Sequence, residues 1–289
     1  MSSSVQKVKS NSLWKYAFIR LRRNYLAILG ALVLSALILV SVFADYLAPY
    51  GYAQQDYMMI RKPPSAQHFL GTDEFGRDVL SRLIYGSRVS LQVGLVAVAI
   101  SLFAGGAVGA IAGYFGGKTD NILMRIMDVQ LAIPTILLAI VISSALGPGL
   151  FNLMIAVGIT SIPSFARLMR ASVLSVKGME FIEAARAMGA SHTRIILLYI
   201  LPNCMAPLIV QSTLSVANAI LFAATLSFIG LGIQPPYPEW GGMLSAARPY
   251  LRNNAYLSIF PGLAIMVTIL ALNFLGDGLR DALDPKQKR

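Results

Sequence analysis

Residues Glu183 to Pro202 read EAARAMGASHTRIILLYILP, a polar and basic interruption between two long apolar runs. A carboxylate and two alanines open the stretch, and Gly189 follows at the fourth position after Ala185. Glycine enters the left-handed conformation without steric cost, so the spacing predicts a helix that stops at Gly189. Helical periodicity is expected to set Phe181, Ala185 and Met188 on one face, while Ala184 and Ala185 keep its profile narrow. Beyond the turn, Leu201 and Pro202 carry the chain back into apolar sequence.

On either side of this stretch the composition is that of a membrane protein. The chain has 289 residues, 56% hydrophobic and only 13% charged. A bilayer core needs roughly 20 apolar residues per helix. Runs of that kind extend over 24–44, 89–117, 129–166, 195–238 and 253–276. The third is too long for one helix and is cut by Gly147-Pro148-Gly149, so six transmembrane helices and an all-α membrane fold are expected. The corresponding division is a tail over 1–23, a first span over 24–44, an outer segment over 45–88, a five-helix core over 89–280 containing the loop 175–202, and a second tail over 281–289. A cleaved signal peptide is the competing reading of the N-terminus, but the apolar run is long and no small-x-small site follows it.

Lys and Arg decide the orientation. With the N-terminus inside, 17 of them fall on inner segments and 7 on outer ones, which places both termini and the 175–202 loop in the cytoplasm. The net charge of +11 then reflects topology and anionic lipid, with no nucleic-acid partner required. One cysteine, Cys204, cannot form an intrachain disulfide, and with two histidines it is too little for a four-ligand zinc site. Cys204 reads as a small apolar residue within a span.

Polar positions elsewhere suggest roles of their own. In the outer segment, Thr72 or Asp73 is placed to cap a short surface helix with Val79, Leu80, Leu83 and Ile84 on its apolar face, and His68 reads as a surface residue. Ala97, Ser101, Gly105, Gly109 and Gly113 recur every fourth position, a stripe suited to close helix packing. The sequence AGYFGGKT from Ala112 to Thr119 fits a relaxed phosphate-binding loop, but it lacks the preceding strand, so Lys118 reads as an inner-loop cation. Arg125 and Asp128 stand at i and i+3 and can pair; Pro134 is expected to kink the third span. Gln211, Ser215 and Asn218 form a polar stripe that either bonds a neighbouring helix or lines a water-filled translocation path. Glu239 reads as a solvated charge and Trp240 as part of a docking surface or interfacial anchor.

The full spacing has a family likeness. Glu183-Ala184-Ala185, Gly189 and Leu201-Pro202 resemble the EAA loop of permease subunits of ABC importers, with Tyr199 where that family usually has isoleucine. Six matched positions arise by chance about 10⁻⁷ of the time per starting point. The stretch HFLGTDEFGRDVLSRLIYGSRVSL from His68 and the stretch FPGLAIMVTILALNFLGDGLRDALDPK from Phe260 resemble the oligopeptide and dipeptide permease group. The resemblance implies a type I importer fold in the bacterial plasma (inner) membrane, with the 175–202 loop serving as a cytoplasmic coupling helix. It also implies a paralogous permease partner, two ATPase subunits that bind ATP and Mg, and an extracytoplasmic substrate-binding protein. Glu183 would offer the ATPase a charge, Ala184 and Ala185 a narrow face, and Gly189 the turn. On this chain the resemblance implies no catalytic residue, metal or cofactor. Close relatives carry nickel chelates or glutathione, so these remain alternative cargoes, and an ATPase-independent channel or scaffold is the reading from another class.

Overall fold

The computed structural model describes residues 20–283, and the expectations for residues 1–19 and 284–289 lie outside them. The principal helices are α1 (Tyr25–Val42), α2 (Val79–Phe115), α3 (Gly117–Ala132), α4 (Thr135–Leu146), α5 (Leu150–Val176), α6 (Glu180–Ala187), α7 (His192–Phe228), α8 (Trp240–Ala247) and α9 (Tyr256–Leu283). Five of them, α1, α2, α5, α7 and α9, are long and apolar enough to cross a membrane. The pair α3 and α4 makes a sixth span if taken together, although it bends by 91°. The sharp bend has a local cause. Pro134 lacks an amide hydrogen and forces Ile133 out of the helical region, to φ −88° and ψ 127°.

Packing of α2 against α5 makes the centre of the bundle. The small-residue stripe lies in this contact. A Cβ on Gly105 would sit 2.5 Å from the Ile162 carbonyl oxygen and one on Gly113 would sit 2.9 Å from the Val173 Cβ. Ser101 donates 2.7 Å to the carbonyl of Gly158 on α5. Without side chains in the way, two backbones approach closely enough for dispersion contacts to accumulate over several turns. Phe165, Met169 and Val173 of α5 are wholly buried as a result. By contrast α1 exposes Leu26, Leu29, Leu32, Leu39 and Val42, as expected of a helix whose remaining faces meet lipid.

The outer segment differs from its expectation. Asp78, rather than Thr72 or Asp73, caps the helix, accepting from the Ser81 amide at 2.7 Å. From there α2 runs unbroken for 37 residues, about 55 Å, so Val79, Leu80, Leu83 and Ile84 belong to its first turns and not to a separate surface helix. His68 is buried too, its Nδ1 2.9 Å from Asp78 Oδ1. Beside this pair Arg77 donates to Asp73 at 2.6 Å and Arg82 Nη1 donates to the carbonyls of Tyr52 at 3.0 Å and Pro236 at 3.3 Å. Arg82 thereby ties residues 52 and 236 to the first turn of α2. Burial of so many charges is tolerable because each finds a hydrogen-bonding partner.

Candidate functional site

At the end of the bundle away from this lobe lies α6. Ile182 and Ala185 are its buried positions, 0% and 1% exposed, and they anchor it to the bundle. The expected single face of Phe181, Ala185 and Met188 is therefore split. Ala185 points inward, whereas Phe181 and Met188 are 40% and 77% exposed, beside exposed Glu183 and Ala184. Ile182 and Ala185, three positions apart, make up the side of this helix that meets the bundle, and Phe181 and Met188 fall outside it.

Gly189 stops the helix as its spacing predicts. Its φ is +78°; its amide donates to the Arg186 carbonyl at 2.9 Å, and the Ala190 amide donates to Ala185 at 3.1 Å. This pair of bonds is the Schellman closure, which satisfies carbonyls that would otherwise be orphaned. Ser191 then opens α7, its hydroxyl accepting from the Arg194 amide at 3.4 Å. Between Ile195 and Ile200 the helix widens to a π-helical turn just before Leu201 and Pro202. Pro202 supplies no amide hydrogen, and Asn203 Nδ2 reaches back 2.6 Å to the Tyr199 carbonyl. The exposed α6 is thus continuous, through one glycine turn, with a 37-residue apolar helix.

Around α6 the end of the bundle is held by charged and aromatic contacts. Arg170 makes a bidentate pair with Asp120 at 2.5 and 2.6 Å. Asp128 pairs with Arg167 of α5 at 2.6 Å, not with Arg125 on its own helix as the i, i+3 spacing suggests. Helix α5 packs against α3, and a guanidinium arriving from a neighbouring helix meets the carboxylate directly. Tyr114 hydrogen-bonds His192 Nδ1 at 2.8 Å, with the Arg186 guanidinium 5.5 Å from its ring centroid. Nothing in the sequence around either residue points to this pair, and 78 positions separate them.

The polar stripe of α7 divides. Gln211 donates 3.2 Å to the buried Ser215 hydroxyl, so these two satisfy each other within one helix, while Asn218 is exposed. Cys204 is fully buried. On the far side Glu239 is 3% exposed, which corrects its reading as a solvated charge. It caps α8 by accepting from the amides of Gly241 at 2.9 Å and Gly242 at 2.8 Å, and burial raises its pKa. Trp240 is buried as well and donates 3.2 Å to the Leu83 carbonyl, so it is a packing residue of the lobe and not a surface anchor.

Known proteins share both fold and sequence with this chain. Residues 105–289 match the family described as binding-protein-dependent transport system inner membrane component. Residues 12–64 match the N-terminal transmembrane domain of oligopeptide transport permease C. A dipeptide transport system permease protein of Alkalihalophilus pseudofirmus is 49% identical over 96% of this chain and 91% of that protein. A di/tripeptide transport system permease protein of Pseudomonas aeruginosa is 48% identical over 90% and 88%. A glutathione transport system permease protein of Escherichia coli is 47% identical over 95% and 91%. Among solved structures, an inward-facing MetNI methionine ABC transporter chain shares the fold with a TM-score of 0.56 at 20% identity, over 70% of this chain and 96% of that one.

Proposed function

The chain belongs to the family of binding-protein-dependent transport system inner membrane components, and on that premise we propose how it works as a permease subunit of an ABC importer of di- or oligopeptides. It performs no covalent step in this reading. ATP and Mg bind on two partner ATPase subunits, a paralogous permease completes the translocation path, and an extracytoplasmic binding protein delivers cargo to the lobe that contains Arg82 and Glu239. Both chain termini and α6 face the cytoplasm of a bacterial cell, in agreement with the distribution of Lys and Arg. The bundle then presents alternately to the two sides of the plasma (inner) membrane.

One observation carries the coupling role, namely that α6 is anchored by Ile182 and Ala185 yet leaves Phe181, Glu183, Ala184 and Met188 exposed. Two apolar side chains flanking a carboxylate and a flat alanine surface suit a groove in a soluble partner, with the carboxylate meeting a cation or backbone amides there. Gly189, Leu201 and Pro202 connect that contact to α7, and Asn218 is the residue of the polar stripe placed to meet cargo. Dipeptide relatives favour peptide cargo over the glutathione and nickel-chelate alternatives.

Purification of tagged protein from its native membrane in mild detergent, followed by mass spectrometry, tests the assembly. Recovery of a second permease and ATPase subunits is expected. Recovery of the chain without either would return the channel or scaffold reading to first place.

A further inference from the structure

The two longest helices among the described residues, α2 and α7, each have 37 residues. Their ends meet beside α6. Tyr114 is the last residue but one of α2 and His192 is the first of α7, and a 2.8 Å hydrogen bond joins them. Tyr114 is 4% exposed, and its ring takes contacts from three further directions. The Arg186 guanidinium, carried by α6, stands 5.5 Å from the ring centroid and the Lys177 ammonium, just past α5, stands 5.9 Å from it. Phe115 packs edge-on at 5.1 Å. Lys177 also donates to the Gly113 carbonyl at 3.4 Å.

Displacement of α6 reaches α7 through the chain at Gly189 and through the packing of α6 on residues 195–200. No such chain connection leads from α6 to α2, which precedes it by more than sixty positions. Arg186 and His192, on either side of the glycine turn, both bear on Tyr114. Further along, α2 and α7 touch again where Gly94 faces Val216 and Ile220, about 30 Å from Tyr114. Two long rods that are bonded at one end and packed at a second point move together.

We infer that Tyr114 is the positioning residue that delivers displacement of α6 to α2 at the same time as to α7, its hydroxyl bond to His192 keeping the two helix ends in step. The inference rests on the importer reading given above. Arene packing alone would be served equally by phenylalanine, so Tyr114→Phe isolates the bond; His192→Phe retains the ring contact from the other side.

The test uses the intact importer complex reconstituted in proteoliposomes, wild type against Tyr114→Phe, His192→Phe and the double variant. Radiolabelled dialanine taken up per ATP hydrolysed should fall about fivefold, the factor one hydrogen bond is worth, and by the same amount in all three variants. ATPase content should stay at the wild-type level. A cargo-independent reading comes from hydrogen exchange of the same complex trapped with ATP and vanadate. In wild type, trapping should alter exchange in segments 180–190 and 110–119, and in Tyr114→Phe only the first should respond. An unchanged response at 110–119, or uptake and ATP hydrolysis falling in parallel with ATPase content, would overturn the joint while leaving the importer reading intact. A wild-type complex without ATPase subunits would overturn that reading, and the joint with it.

Discussion

Asp78 divides its carboxylate between two tasks, holding His68 at 2.9 Å with Oδ1 and capping α2 with Oδ2 through the Ser81 amide and hydroxyl, both at 2.7 Å. One of the two longest helices among the described residues and the segment that folds over its outer end are thereby fastened at one residue. Substitution by alanine removes the cap and leaves buried His68 without its partner, an expected loss of about 2–4 kcal/mol. Asp78→Asn keeps an acceptor for the cap and should lose about half as much. Thermal unfolding in detergent, with proteolysis of the 45–78 segment as a local readout, measures both. Alanine and wild-type proteins of equal stability would show that the lobe does not depend on this carboxylate.

Two glycines three residues apart on α2 should respond to alanine in opposite senses. At Gly106 an added Cβ meets nothing, so Gly106→Ala is expected to gain about 0.5–1 kcal/mol from helix propensity. At Gly109 the same atom meets the Ala166 carbonyl oxygen and lies 2.8 Å from Met169 Cβ and 2.9 Å from the Arg170 amide nitrogen. Backbone cannot step aside as a flexible side chain can, and a loss of about 1–3 kcal/mol follows. Unfolding midpoints of the two variants decide this, and shifts of the same sign would place the α2–α5 contact elsewhere.

Glu239 should give the fold a pH dependence that a glutamine abolishes. Burial raises its pKa above the ordinary glutamate value, so in the folded protein the proton is held more tightly than in the unfolded chain. Stability from this group is fully present below the unfolded value and is lost as pH rises through the folded one. Glu239→Gln keeps a side-chain oxygen for one of the two capped amides and carries no charge to desolvate. The difference in unfolding midpoint between variant and wild type should therefore move in favour of glutamine as pH is raised from about 4.5 to 8. A difference independent of pH would mean that folding leaves the carboxylate's affinity for a proton unchanged.

Glu183 tests the proposed coupling surface without disturbing the fold. Its side chain is exposed on α6, so Glu183→Lys should alter stability by no more than about 0.5 kcal/mol. Reversal of a charge at a contact is expected to reduce retained ATPase by about tenfold or more. Quantitative mass spectrometry of the purified complex reads the ratio. Full retention with normal substrate-stimulated ATP hydrolysis would remove Glu183 from the contact.

Asn218 separates transport from assembly. It is exposed, while Gln211 and Ser215 of the same stripe bond each other, so Asn218→Leu should lower uptake more than it lowers yield of the assembled complex. Equal loss of both would assign Asn218 to a helix contact in the assembled permease.

Features that depend on near neighbours along the chain are legible in the sequence. Hydropathic runs define the membrane helices because lipid leaves each backbone polar group to be satisfied within its own segment. Gly189 ends α6 because only the residues within one turn decide a left-handed stop, and Pro134 interrupts a helix by its own missing donor. The stripe from Ala97 to Gly113 announces a close helix contact, though not that α5 fills it. Partners come from the packing of the bundle. Asp128 takes Arg167 over Arg125, His68 and Glu239 go inside, and Tyr114 meets His192, because a charge or a ring takes the nearest complementary group in space. That group is set by which helices pack, a property of the whole bundle that no local spacing encodes.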